Sequence, residues 1–256
     1  MKDVNLLMDK LEKNSGKIFD YSDIIKLIWN IFWDVLIQKN KIHKVIFLLK
    51  SKWYIYDLKK QLYVAKKPDI IISENDILQK YYRQLLKKHC ELYCQKNWYI
   101  SWYKALELRN DNYEIPTEIY ITNALKTSIE TVIFDYKIWF KKYSNKIYSD
   151  LWYFKNLQKF TNNITISNKK FAIASIELSI LESLFSPDPS TLQFVNENIK
   201  KALKKYKKTL DFEKISNIVK LGKYHTSLNR LYILSKNVDL SMSQTIYNII
   251  KKYSYV

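Results

Sequence analysis

The stretch KNKIHKVIFLLKSKWYIYDLKKQLYVAKK, Lys39 to Lys67, changes its period halfway. In the first half Ile42, Val45, Ile46 and Leu49 recur at three- and four-residue spacing, the pattern of a helix with one apolar face. Beyond Ser51 and Lys52 the apolar residues alternate instead. WYIYD reads as one strand, LKKQ as a polar turn and LYVAKK as the returning strand of a hairpin. Upstream, YSDIIKLIWNIFW (Tyr21–Trp33) is again helical, with Ile24, Ile25, Leu27, Ile28, Ile31 and Phe32 on the apolar side and Ser22 and Asp23 as expected caps. A short leading helix, two further helices and a hairpin, all within residues 1–68, follow the order of a winged helix-turn-helix.

Charge follows the same boundaries. Between Lys39 and Lys67 stand nine lysines and a single acid, Asp57. Gln38, Lys39, Asn40, Lys41, His43 and Lys44 crowd the start of the second helix. Lys59 and Lys60 fall at the hairpin tip, and Lys66 and Lys67 at its exit. On a winged helix, the second helix enters the major groove and the hairpin follows the backbone. Lysines there suit phosphates, which hold position without reading sequence. Gln38, Asn40 and His43 are the side chains suited to base edges, Asn and Gln pairing well with adenine. These ten residues form the candidate DNA-binding set. A secondary basic patch, Lys200, Lys201, Lys204, Lys205 and Lys208 in IKKALKKYKKTL, lies opposite Ile199, Leu203 and Tyr206. Its plainer reading is the solvated face of an amphipathic helix.

The whole chain carries a formal charge of +18 over 256 residues. Such a balance points to nucleic acid. Part of it has a blander origin, because forty lysines stand against three arginines. Lys, Asn, Ile and Tyr codons can be written from A and T alone, so clustering is more informative than the total. No apolar run approaches a membrane span. The N-terminus lacks the three-part pattern of a signal peptide. Cys90 and Cys94, the only cysteines, suit neither a disulfide scaffold nor a zinc site. The expectation is a cytoplasmic protein with no membrane partner, cofactor or metal.

Pro68 ends the hairpin and opens a second domain, expected over 69–256. Ser73 and Asp76 resemble a capping box ahead of a long helix from DILQKYY to ELYC. Trp98–Ile100 then reads as a strand, Ser101 as an N-cap and Trp102–Leu108 as a helix. Pro116 precedes the strand EIYITN. TVIFD, YKIWFKKY and KKFAIA are further strands, and SIELSILESLF is a helix broken by Pro187 and Pro189. From residue 191 the chain reads as helical to its end, the last helix capped by Ser241 and Gln244. The fold class is α+β: the winged helix-turn-helix domain, then a mixed α/β domain with a helical C-terminal half.

The block WYISWYKALELRNDNYEIPTEIYI resembles a block of the AbiEi antitoxin family, through Tyr99, Ile100, Ser101, Trp102, Ala105, Leu106, Glu107, Leu108, Ile115 and Pro116. Ile176, Glu177, Leu181 and Leu184 match a second family segment, and YHTSLNRLYILSK a third. The chain departs from the family pattern at Ser51–Lys52, Gln61–Leu62 and Arg109–Asn110, where glycines are usual. Asn110 is the expected substitute at a positive-φ position. The resemblance implies a DNA-binding repressor that acts as the antitoxin of a type IV, abortive-infection toxin–antitoxin system in phage defence. It would bind its own promoter, double-stranded DNA with inverted repeats, and counter a nucleotidyltransferase-like toxin without a stable complex.

Two alternatives compete. One is a stand-alone nucleic-acid-binding or structural protein without a toxin. The other is a metal-dependent nuclease, in which Asp135 and Lys137 end a D-x-K motif with Glu118 or Glu130 upstream. With only two glycines, the chain has no Gly-rich phosphate cradle. No catalytic set is expected.

Overall fold

A computed structural model of the chain describes residues 2–32, 39–59, 62–69, 73–125, 129–133, 136–142, 149–185, 190–222 and 224–253. It is α+β and divides into two compact units, Met1–Tyr93 and Cys94–Val256. Among the described residues, no helix is long and apolar enough to cross a membrane.

The first unit runs α1 (Lys2–Lys13), β1 (Ile18–Asp20), α2 (Tyr21–Phe32), α3 (Lys39–Ser51), β2 (Ile55–Lys59), β3 (Leu62–Ala65) and α4 (Glu74–Cys94), the last helix reaching the division between units. The hairpin β2–β3 forms as its alternation predicts. β1, which the sequence pattern does not mark, pairs antiparallel with β3, Ile18 opposite Val64 and Asp20 opposite Leu62. The sheet order is therefore β1-β3-β2. Three residues are too few to show a period, so β1 had no signal of its own. The helices drive their apolar stripes into one core: Leu7 and Leu11 from α1, Ile24 and Ile28 from α2, Ile42, Ile46 and Leu49 from α3, with Phe19, Ile55 and Tyr63 from the sheet.

Asp20, rather than Ser22 or Asp23, caps α2. Its Oδ1 accepts from the Asp23 amide at 2.8 Å, while Asp23 Oδ2 accepts from the Asp20 amide at 3.2 Å. This is a reciprocal capping box. Lys88 of α4 reaches both carboxylates, at 3.2 and 2.7 Å. Burial opposes ionisation of Asp20, but hydrogen bonds from Ser22, the Asp23 amide and Lys88 hold its carboxyl below the ordinary range. The same lysine ties α4 to the unit, and the packing division falls after Tyr93 although Pro68 ends the hairpin. The capping box at Ser73 and Asp76 forms as the sequence suggests, Asp76 N–H donating to Ser73 Oγ at 3.1 Å.

The second unit holds β4 (Trp98–Ile100), α5 (Trp102–Arg109), β5 (Glu118–Asn123), β6 (Ile129–Ile133), β7 (Tyr136–Lys142), α6 (Asp150–Gln158), β8 (Thr161–Ile166), β9 (Lys169–Ala174) and α7 (Ile176–Phe185). α8 (Leu192–Lys205), α9 (Phe212–Lys220), α10 (His225–Lys236) and α11 (Leu240–Tyr253) complete it. The strands form one sheet in the order β6-β7-β5-β4-β9-β8. β5–β7 and β4–β9 are parallel and the remaining pairs antiparallel.

α7 is buried from Ile176 to Leu184. A helix apolar on most sides belongs inside a fold, and α7 packs against α5, α10 and β9. Its polar residues are bound internally. Glu182, wholly enclosed, accepts from the Tyr99 hydroxyl at 2.7 Å and the Trp102 amide at 3.3 Å. Burial pushes its carboxyl up to about 8, against the pull of those two donors.

Ser101 takes the N-cap position of α5, as expected, but its side chain makes no capping bond. Its hydroxyl donates to the Tyr120 carbonyl of β5 at 3.1 Å, and the Trp102 amide at the start of the helix is met by Glu182. At the other end Asn110 has φ −87°, and the left-handed residue is Asp111 at φ 65°. α11 is capped by Asp239, which accepts from the Met242 amide at 2.8 Å and the Ser241 hydroxyl at 2.6 Å. Gln244 instead reaches Asn248.

Candidate nucleic-acid interface

α3 separates its residues by the helical period. Ile42, Ile46 and Leu49 are buried, and Val45 and Leu48 half-buried. On the other side Asn40, His43, Lys44, Phe47 and Ser51 are exposed, at spacings that bring them to one face, with Lys41 exposed at its flank. Among the described residues Asn40, Lys41 and Lys44 make no side-chain hydrogen bond or ion pair. The exposed His43 ring stacks beside Tyr21 of α2, 6.1 Å between centroids.

The helix ends on a tight reversal. The Tyr54 amide donates to the Leu49 carbonyl at 2.9 Å and the Lys52 amide to Leu48 at 3.0 Å. Trp53 takes the left-handed conformation at φ 63° that glycine adopts without strain. The reversal is thus built by a residue other than Ser51 or Lys52, with a large exposed ring.

The lysines divide into groups. Lys41, Lys44, Lys52 and Lys67 are exposed. Lys50 pairs with Asp57 of β2 at 2.5 Å and lies 5.1 Å from the Tyr63 ring centroid. This uses the one acid of the segment, so Asp57 neutralises a lysine beside the candidate face rather than on it. Lys66 departs from expectation. Its side chain is buried, with its ammonium 4.9 Å from the Trp53 ring centroid. It supports the Trp53 reversal and is not placed to meet a phosphate. Gln38 and Lys60 lie outside the described residues, as do the side chains of Lys39 and Lys59. Phe47, 71% exposed, belongs to the face by position. In the sequence a phenylalanine within VIFLL reads as core, and only the phase of α3 turns it outward.

In the second unit, two of the five lysines of the secondary patch, Lys200 and Lys205, are engaged by their own surroundings. Lys205 Nζ contacts Asp111 Oδ2 at 2.5 Å and the Arg109 carbonyl at 3.0 Å. Its hydrogen bond to Asp111 raises the ammonium's affinity for its proton. Lys200 pairs with Glu197 at 2.9 Å, and Lys207 with Asp239. Lys201, Lys204 and Lys208 are exposed. Ile199 and Leu203 are buried, which fits an amphipathic helix turned inward.

Of the D-x-K residues, Asp135 lies outside the described residues. Glu118 accepts from the Tyr103 hydroxyl at 2.6 Å and the Trp139 indole at 3.2 Å. Glu130 approaches Lys137 at 4.0 Å. Among the described residues, no three His, Cys, Asp or Glu side chains are grouped to hold a metal ion. Cys90 and Cys94 are buried free thiols. Compared with protein-family models and with curated proteins, the chain matches neither a family model nor a curated protein.

Proposed function

We propose that this chain is a double-stranded-DNA-binding regulator whose first unit is a winged helix-turn-helix. α3 is its groove-reading helix and β2–β3 its wing. The observation that carries the reading is the exposed face of α3, where Asn40, His43 and Lys44 stand opposite a buried Ile42–Ile46–Leu49 stripe, with Lys41 alongside. The element order and the β1-β3-β2 sheet support it. On this reading Lys41, Lys44, Lys52 and Lys67 neutralise phosphates, and Asn40 and His43 meet base edges. The role of the regulator, a repressor and antitoxin of a type IV pair, rests on the sequence resemblance of the Tyr99–Pro116 block.

Fluorescence anisotropy of the full chain with its own upstream DNA tests the first part. Binding should weaken with salt. Lys41→Glu with Lys44→Glu should abolish it, or cut the log–log salt slope by about 0.9 for each phosphate no longer neutralised. Unchanged binding by the double variant would remove α3 from the interface. Co-expression with a nucleotidyltransferase-type neighbour gene tests the second part, rescue of growth being the expected result.

A further inference from the structure

Phe47 is the feature of α3 that phosphate neutralisation and polar base readout leave unused. It is 71% exposed, yet it sits on the helix face opposite the core, three and four residues from Lys44 and His43. Other exposed aromatics of this unit differ in setting. Trp53 lies beyond the helix with the Lys66 ammonium on its ring, and Trp29 belongs to α2. The ring stands amid Asn40, His43 and Lys44, and an apolar surface laid against it removes apolar area from water, which favours association. The major groove offers one apolar feature at its base edges, the C5-methyl group of thymine, and phenylalanine is among the side chains that pack on it.

We propose that Phe47 is a specificity-determining residue that packs on thymine C5-methyl groups. The inference rests on the reading of α3 as a groove-entering helix. Along that helix Phe47 stands about 10.5 Å from Asn40, at about 1.5 Å per residue. That is about three base-pair steps. One helix face then carries a hydrogen-bonding reader of adenine and an apolar reader of thymine, a combination suited to A·T-rich sites.

The test uses the full chain and a duplex selected from a random pool by that chain. The selected duplex is then made in two forms, one with thymine and one with deoxyuridine, which pairs identically but lacks the methyl group. The wild-type protein should bind the uracil form about fourfold more weakly for each contacted methyl, the equivalent of about 0.8 kcal/mol per buried carbon. Phe47→Ala should bind both forms alike while keeping the salt slope, and Phe47→Leu should retain part of the preference. Equal wild-type affinity for the two forms, or a preference that survives in Phe47→Ala, overturns the assignment and leaves DNA binding intact. Failure of the wild-type chain to retain any duplex overturns both the assignment and the reading beneath it. Thermal melting checks the fold of the variants, and the exposure of Phe47 makes loss of structure an unexpected result.

Discussion

Replacing Glu182 with Gln should change the pH dependence of the second unit more than its structure. The carboxyl is wholly enclosed, and burial lifts it from 4.5 to about 8. The folded chain therefore holds a proton that the unfolded chain releases once the pH passes the unfolded value. An acid raised in this way contributes its full stability below about pH 4.5 and loses it as pH rises, until both states are ionised near pH 8. The slope is about 1.4 kcal/mol per pH unit for one proton, so by pH 7 the loss is about 3 kcal/mol. Glutamine keeps the geometry without the titration. Its carbonyl accepts from the Trp102 amide, and its amide nitrogen donates to the Tyr99 hydroxyl oxygen. Urea titrations at pH 5 and pH 8, read by hydrogen exchange in peptides covering 98–108 and 176–185, isolate this unit from the first. The stability of Glu182→Gln relative to wild type should rise by about 3 kcal/mol or slightly more between those pH values. Parallel pH profiles for the two proteins would show that Glu182 is ionised and solvated in the folded state, and would refute the reasoning.

Leu49→Ala should destabilise the first unit by about 2–5 kcal/mol in urea denaturation, because its fully buried side chain leaves a cavity between α3 and the sheet. Phe47→Ala, two residues away, should stay within about 0.5 kcal/mol of wild type. Gly16→Ala should also destabilise this unit. Gly16 has φ +85° and its amide donates to the Ala65 carbonyl at 2.6 Å, while an added Cβ would collide with the Tyr81 hydroxyl. Adding Tyr81→Phe should recover only part of the steric cost, since a ring carbon would still lie 3.0 Å from the added Cβ, and about 1 kcal/mol of backbone cost remains. Ser101→Asp separates a helix cap from a strand bond. A cap would accept aspartate, but here the carboxylate would be buried facing the Tyr120 carbonyl, so the melting temperature should drop further than for Ser101→Ala.

Elements with a long, clean period were legible from sequence. The apolar stripe of α3 repeats enough times to declare a phase, and two apolar runs about a polar turn mark β2 and β3, although β3 is buried throughout; SIELSILESLF reads as a helix, but its burial on all sides is a finding of the structure. The Asn97–Ile121 stretch could also be read as core, and Tyr99 and Leu106 are fully buried while Trp98, Trp102 and Leu108 are nearly so. Short elements and caps were not legible in the same way. β1 has three residues and takes its identity from β3. The caps of α2 and α11, Asp20 and Asp239, each lie two residues before the serine that suggested them, Ser22 and Ser241, because a cap is chosen by where the chain turns.

The basic segment Lys39–Lys67 shows the same division. Sequence alone determined that lysines cluster between Lys39 and Lys67 and that one helix face there is apolar, since both are properties of residue order and the helical period. Only the tertiary structure decided which of those lysines face water. Asp57 meets Lys50 across the helix–strand junction, and Trp53, forced into a left-handed turn, covers Lys66. Glu182 is the clearest case of what folding alone supplies. Its partners Tyr99 and Trp102 stand eighty residues or more away in the chain, and only the packing of α7 against β4 and α5 removes the water that would otherwise keep it an ordinary carboxylate.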